Sequence, residues 1–196
     1  MAELILASAS RSRQALLRQA GVDFEVIPAD LDEDGLTRAL ADAGGETIAL
    51  ALAEAKALAV CRQAPGRWVL GGDSVIQFGD EQIGKCPDLG SLRRLLRRLA
   101  GHSHVLTSAA VLARDGKTVF RHAAQAQLTI RNFSENFLDG YLAAEGETVL
   151  SCVGGYRYEG PGAQLFSKVE GDYFTILGLP LLPVLAALRA QGILVS

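Results

Sequence analysis

Cysteine is scarce in this chain, and the few that exist do not pair. Cys61, Cys86 and Cys152 are odd in number and far apart, with no Cys-x-x-Cys spacing and no histidine at metal-ligand distance in sequence. That usage argues against a disulfide framework or a zinc finger and fits a reducing, cytoplasmic setting. An excess of basic charge is also missing: 19 Lys and Arg against 22 Asp and Glu leave a net charge of −3. A binder of nucleic-acid polymer generally needs a broad positive field, so an anionic ligand has to be gripped locally here. Long apolar runs are absent as well. The stretch Leu177 to Leu188 is broken by Gly178, Pro180 and Pro183 and is too short to span a bilayer. Met1-Ala2-Glu3 leads straight into an apolar strand, without the basic and apolar regions of a signal peptide. A soluble chain that is not exported is expected. Nearly half of its 196 residues are apolar (49%), enough to bury a core without metal or disulfide staples.

The order of patterns along the chain suggests an α/β fold. Leu4-Ile5-Leu6-Ala7 is a short apolar run that ends in Ser8-Ala9-Ser10, after which Ala15, Leu16, Leu17 and Ala20 recur at helical spacing up to Gly21. Phe24 to Pro28 reads as a second strand feeding the acidic loop Asp30-Leu31-Asp32-Glu33-Asp34, placed at a sheet edge. Glu46 to Arg62 is rich in Ala and Leu and free of Gly and Pro, which predicts a long helix carrying Glu54 and Lys56. Trp68-Val69-Leu70 is a buried strand that runs into Gly71-Gly72-Asp73-Ser74, and the β pattern resumes at Val75 to Phe78. Leu89 to Leu99 is an amphipathic helix. Val105 to Leu112 and Thr118 to Ile130 form a hairpin about Asp115-Gly116, a helix begins after Ser134, and Leu179 to Gln191 is a final helix. Helices alternating with strands, plus one long hairpin, imply a mixed, twisted sheet flanked by helices. The expected body is a single domain, residues 1–196, elongated and two-lobed with a central cleft.

Four segments could carry chemistry. Ser8-Ala9-Ser10-Arg11-Ser12-Arg13 joins hydroxyls and guanidinium groups where a strand hands over to a helix, a place suited to phosphate; the alternative is that Ser10 only caps the helix and the arginines are solvated. Asp73 follows two glycines between β runs, where an acid must be paired, metal-bound or catalytic, and a structural ion pair with Lys85 is the plainer alternative. Asp32 and Glu33 could give hard oxygen ligands to magnesium or manganese, or belong to an ordinary surface loop. Gly154 to Gly160 is a glycine-rich stretch in which Glu159 could meet a nucleobase edge, or it is simply a loop. His102 and His104 alternate on one strand face with no third ligand at suitable spacing, so a structural role is expected. Arg93, Arg94, Arg97 and Arg98 share a helix face that is read as solvated, with a phosphate or partner contact as the lesser alternative.

Taken in order, these segments resemble the Maf family of nucleoside triphosphate pyrophosphatases. The resemblance rests on Leu6-Ala7-Ser8-Ala9-Ser10 with Arg13 and Leu16-Leu17, Asp32-Glu33, Ala53-Glu54-Ala55-Lys56-Ala57, Leu70-Gly71-Gly72-Asp73-Ser74 and Gly84-Lys85-Cys86-Pro87. It continues through Leu99-Ala100-Gly101 with His104 and Thr107, and Glu170-Gly171-Asp172-Tyr173 with Gly178-Leu179-Pro180-Leu181, so it covers nearly the whole chain. The resemblance implies a Maf/ITPase-like fold, a house-cleaning role in nucleotide metabolism, and hydrolysis between the α- and β-phosphates with a divalent cation, Mg or Mn. It assigns Asp73 as general base, Glu33 and Lys85 to catalysis, Glu33 and Asp73 to metal, and Ser8, Ser10, Arg13, Lys56, Ser74 and Glu159 to substrate. A homodimer would fit the family.

The chain departs from the family at Arg11 and Ser12, where relatives usually carry Pro and then Arg or Trp. One subgroup, acting on dTTP and UTP, tends to have Thr after the aspartate and Gln in the glycine-rich loop; another, acting on 7-methyl-GTP, tends to have Gln and Glu. Here the pair is Ser74 and Glu159. A carboxylate at 159 can accept from a guanine N1–H and amino group, which leans toward purine. The competing reading, kept open by Arg11-Ser12, is a nucleotide-binding regulator of cell division without significant catalysis. A nucleic-acid binder using the Arg93 to Arg98 face is a third, disfavoured by the acidic balance.

Overall fold

The computed structural model describes residues 3–195. Among them are seven strands, β1 (Leu4–Leu6), β2 (Glu25–Val26), β3 (Trp68–Phe78), β4 (Glu81–Ile83), β5 (Ser103–Arg114), β6 (Lys117–Ile130) and β7 (Phe166–Glu170). The helices are α1 (Arg11–Gln19), α2 (Glu33–Ala39), α3 (Gly45–Cys61), α4 (Leu89–Leu99), α5 (Glu135–Glu145), α6 (Tyr173–Ile176) and α7 (Leu181–Ala190). The strands make one sheet in the order β2-β1-β3-β5-β6-β7, with β4 paired to β3 off that path. β1 runs parallel to β2 and β3, whereas β3–β4 and β6–β7 are antiparallel, so the sheet is mixed and flanked by helices as expected. β5 and β6 are joined by Asp115 and Gly116 alone, whose φ values of 50° and 74° give the mirror-image turn that matches hairpin twist.

By its internal contacts the chain divides into two compact units, one of residues 3–74, Thr107–Ala124 and 173–195, the other of Val75–Leu106 and Gln125–Asp172. In the first, Leu4 and Leu6 of β1, Leu16 and Leu17 of α1, Leu70 of β3, Leu112 of β5 and Val184 and Leu188 of α7 are buried in one apolar cluster. The i, i+4 step between Val184 and Leu188 puts both on the inner face of α7.

In the second unit, Leu92, Leu96 and Leu99 line one face of α4 and are fully buried. α4 packs against α5 and the 3-10 turns Gly146–Ser151 and Val153–Gly155. Its other face carries the arginine run, three of whose members pair with acids: Arg93 bonds Glu135 and Asp139, Arg97 bonds Glu135, and Arg98 reaches Glu81, whereas Arg94 donates to Ser91 Oγ. That face is solvated and largely neutralised by neighbouring acids.

Several elements differ from expectation. The strand expected over Phe24 to Pro28 pairs only at Glu25–Val26, because β2 ends the sheet and Pro28 has no N–H to extend the ladder. The acidic segment is not a loop: Asp32 accepts from Gly35 N at 2.8 Å and caps α2, with Glu33 and Asp34 in its first turn at the positive end of the dipole. Asp73 does not interrupt a strand; β3 continues through it. Of the glycine-rich stretch only Gly154 and Gly155 lie in a 3-10 turn, and Tyr156 to Gly160 are loop and turn; β7 and α6 were not expected at all. No helix among the described residues is long and apolar enough to cross a membrane.

Candidate active site

The first unit gathers four charged side chains around the central strand β3, and a glycine makes this possible. A Cβ at Gly71 would overlap the Ala53 carbonyl oxygen and lie 2.9 Å from Ala57 N and 3.0 Å from Ala57 Cβ. Only glycine lets α3 rest on β3 so closely, with the small Ala53 and Ala57 one helical turn apart as its counterparts. Lys56, between them, is delivered toward residue 73. Its buried ammonium donates to Asp73 Oδ1 at 2.5 Å and to Glu33 Oε2 at 2.8 Å. Lys56 and Asp73 are 7% and 8% exposed, whereas the Glu33 side chain is 44% exposed, so this clamp opens to solvent on the Glu33 side.

Arg13 forms the other half. It sits in the first turn of α1, which Ser10 caps by accepting from Arg13 N at 3.4 Å. The guanidinium is buried and held on three sides: Nε donates to Gly178 O at 2.7 Å, Nη1 to Ser8 Oγ at 3.1 Å and Nη2 to Ser74 Oγ at 2.9 Å. Gly72 leaves room for it, since a Cβ there would meet Arg13 Cδ and Nε at 3.2 Å. Gly178 has φ +103°, a conformation open to glycine, and this turns its carbonyl onto Nε. Ser74 Oγ also lies 2.8 Å from Ser108 Oγ, which donates to Thr175 O at 2.8 Å.

Burial lowers the pKa of Arg13, and the negative charges of Asp73 and Glu33 push it back up. Two cations and two carboxylates therefore balance in a partly dry space. Net stabilisation from such buried pairs is small once desolvation is counted, so their concentration at one strand position is better explained by a ligand than by folding. Two of the five N–H donors of Arg13 stay uncommitted, enough to meet an oxyanion such as phosphate.

The site residues expected from sequence are distributed unevenly. Ser8, Ser10, Arg13, Glu33, Lys56, Asp73 and Ser74 all belong to the first unit and form two contact sets, one about Arg13 and one about Lys56, that meet at the neighbouring residues Asp73 and Ser74 of β3. Lys85 and Glu159, both exposed, belong to the second unit. The cation paired with Asp73 is Lys56, not Lys85, because the close approach at Gly71 brings α3 to β3. Asp32 Oδ1 is taken by its capping bond to Gly35 N. Among the described residues no group of three or more His, Cys, Asp or Glu side chains could hold a metal alone. His104 is structural as expected: its Nε2 lies 2.8 Å from Tyr156 Oη, and burial pushes its pKa down to about 4. Sequence reasoning missed the Gly178 carbonyl as a support of Arg13, and Ser108 and Thr175 as supports of Ser74; the hydroxyl pair Thr107-Ser108 in an otherwise apolar strand was the signal available.

With this geometry in view, comparison with known proteins is specific. A family model described as Maf-like protein matches residues 3–191. A protein of Mesorhizobium japonicum named 7-methyl-GTP pyrophosphatase is 50% identical over 97% of this chain and 96% of its own. One of Rhodopseudomonas palustris named nucleoside triphosphate pyrophosphatase is 46% identical over 97% of this chain and 95% of its own. A solved nucleoside-triphosphatase / dITP/XTP pyrophosphatase from Mycobacterium abscessus aligns over 96% of this chain and 94% of that one, at 15% identity and a TM-score of 0.43. Family match and near-complete coverage by relatives at this identity agree with the ordered residues of the site, and the chain belongs to the Maf-like family.

Proposed function

We propose that this chain is a nucleoside triphosphate pyrophosphatase that cleaves between the α- and β-phosphates, releasing a nucleoside monophosphate and pyrophosphate. The observation that carries the reading is the constellation of buried Arg13, Lys56 and Asp73 with the solvent-facing Glu33, in which two cations are held ready beside two carboxylates. The names of relatives nearly half identical over the whole chain support the same activity.

Lys56 fixes Oδ1 of Asp73, which orients the carboxylate and leaves Oδ2 to accept a proton from the attacking water. Arg13 and Lys56 offset the charge that a triphosphate brings in and that grows in the transition state. Glu33 and Asp73 supply hard oxygens held by one ammonium, and fewer than three such side chains suits Mg or Mn, which commonly keeps waters and substrate phosphates in its shell. Bound there, the cation would polarise the phosphoryl oxygens. Lys85 is assigned a phosphate contact and Glu159 a contact to the guanine edge, both from the family resemblance. The relative named for 7-methyl-GTP and the carboxylate at 159 favour a purine, with methylated guanine first to be tried. The three cysteines are free thiols, in keeping with a cytoplasmic enzyme.

The test is a panel of GTP, 7-methyl-GTP, ATP, UTP, CTP and dTTP with Mg or Mn, following pyrophosphate release. Turnover of at least one triphosphate to its monophosphate is expected, with guanine nucleotides preferred. Binding without any turnover across the panel would favour the non-catalytic regulator.

A further inference from the structure

We propose that Ser108 is a positioning residue that fixes the hydroxyl proton of Ser74, so that Ser74 meets the substrate only as an acceptor and recognises a donor group of the nucleoside, not phosphate. The inference rests on the pyrophosphatase reading and deepens it.

A serine hydroxyl has one proton and two acceptor positions. Ser108 Oγ is fully buried and spends its proton on the Thr175 carbonyl at 2.8 Å. The 2.8 Å contact between Ser108 and Ser74 must then carry the proton of Ser74. Arg13 Nη2 occupies one acceptor position of Ser74 at 2.9 Å. What Ser74 has left is a single lone pair, on a side chain that is only partly buried.

Ser8 has the opposite polarity. Its oxygen accepts from Ser10 N at 3.3 Å and from Arg13 Nη1 at 3.1 Å, which fills both acceptor positions and leaves its proton to give. The hydroxyls on the two sides of Arg13 are thus sorted into a donor and an acceptor. Phosphate oxygens accept but have no proton to donate once ionised, so they suit Ser8 and the two uncommitted Arg13 donors and are repelled by the lone pair of Ser74. A sugar hydroxyl or a base N–H suits Ser74. Ser108 sets this choice without touching the ligand, since a residue-108 side chain that could not accept would release the Ser74 proton.

The experiment uses the full chain as wild type, Ser108→Ala, Ser74→Ala and the double variant, titrated calorimetrically with α,β-methylene-GTP and with inorganic tripolyphosphate in Mg. Ser108→Ala should weaken the nucleotide analogue about five- to tenfold, the worth of one neutral hydrogen bond. It should leave tripolyphosphate unchanged or bound more tightly, because the freed Ser74 proton can now meet phosphate. KM for the best hydrolysed nucleotide should rise in parallel. In the Ser74→Ala background, Ser108→Ala should add nothing, because it acts through Ser74. Equal weakening of both probes by Ser108→Ala, or a full additional loss in the double variant, would overturn the assignment. If Ser108→Ala fails to fold, Ser108→Cys, a near-isostere whose sulfur is a weak acceptor, should shift the ratio of the two affinities in the same direction, and an unchanged ratio would overturn it. Turnover by the wild type is scored separately: its absence counts against the pyrophosphatase reading, whereas the affinity ratio judges the role of Ser108.

Discussion

Replacing Gly71 with alanine should damage stability and activity together, and the size of both effects follows from where α3 meets β3. The added Cβ would overlap Ala53 O and stand 2.9 Å from Ala57 N and 3.0 Å from Ala57 Cβ, against 3.4–4 Å for ordinary contact. Two of these three neighbours are helix backbone, so no side chain can swing away; α3 itself has to retreat. Overpacking of this kind costs about 1–3 kcal/mol, and contact with backbone favours the upper end. For a chain of this length that is a loss of roughly 2–12 °C in Tm. Lys56 moves with the helix, so its 2.5 Å bond to Asp73 lengthens, and a misplacement near 1 Å can cost about a hundredfold in rate. Differential scanning calorimetry and kcat/KM on the best nucleotide are the assays. Gly44→Ala is the control, since a Cβ there meets nothing within 4 Å and the site lies at the start of the same helix. Wild-type Tm and activity in Gly71→Ala would refute the close packing that is said to place Lys56.

Other outcomes are expected from the same geometry. Lys56→Met leaves the Asp73 carboxylate buried without its cation, a loss of about 3 kcal/mol in urea unfolding; adding Asp73→Asn should recover much of it, and an equal loss in the double variant would contradict the pairing. His104, lowered to about 4 in the folded chain from 6.5 by burial, binds a proton more readily when unfolded. Its contribution to stability is therefore full above pH 6.5 and fades as pH falls toward 4, by up to about 3 kcal/mol. His104→Asn should flatten that slope, and an unchanged slope would show that other groups cause it. Arg97→Ala removes only an exposed ion pair with Glu135, so a change below about 1 kcal/mol and unaltered turnover are expected; a large loss of turnover would place that face in the site.

Much of this molecule could be read from local pattern. α4 and α5 have strong signals, an amphipathic repeat in one and Ser134 as cap with Gly146 as stop in the other, and both formed where expected. The Ser8 to Arg13 cluster also lies at the expected handover from strand to helix, whereas Asp73 lies inside β3 instead of between two β runs. What escaped was set by contacts distant in sequence. The partner of Asp73 was decided by helix-on-strand packing at Gly71, which brings in Lys56 rather than Lys85. Gly178 supports Arg13, and Ser108 with Thr175 supports Ser74, from segments far along the chain whose local sequence does not say which side chain they will meet. The acidic segment was misread because its chemistry was considered without its capping geometry: Asp32 followed by a helical turn is a helix start before it is a metal site.

The most direct measurement compares wild type and Asp73→Asn on the best nucleotide of the panel, with steady-state pyrophosphate release and calorimetric binding of its α,β-methylene analogue made in parallel. Loss of a positioned base should lower kcat by about a hundred- to ten-thousandfold, with analogue affinity within a few-fold and a melting profile that remains cooperative. Turnover by Asp73→Asn at a rate near wild type would contradict the assignment of the proton to this carboxylate, whatever else the cluster binds.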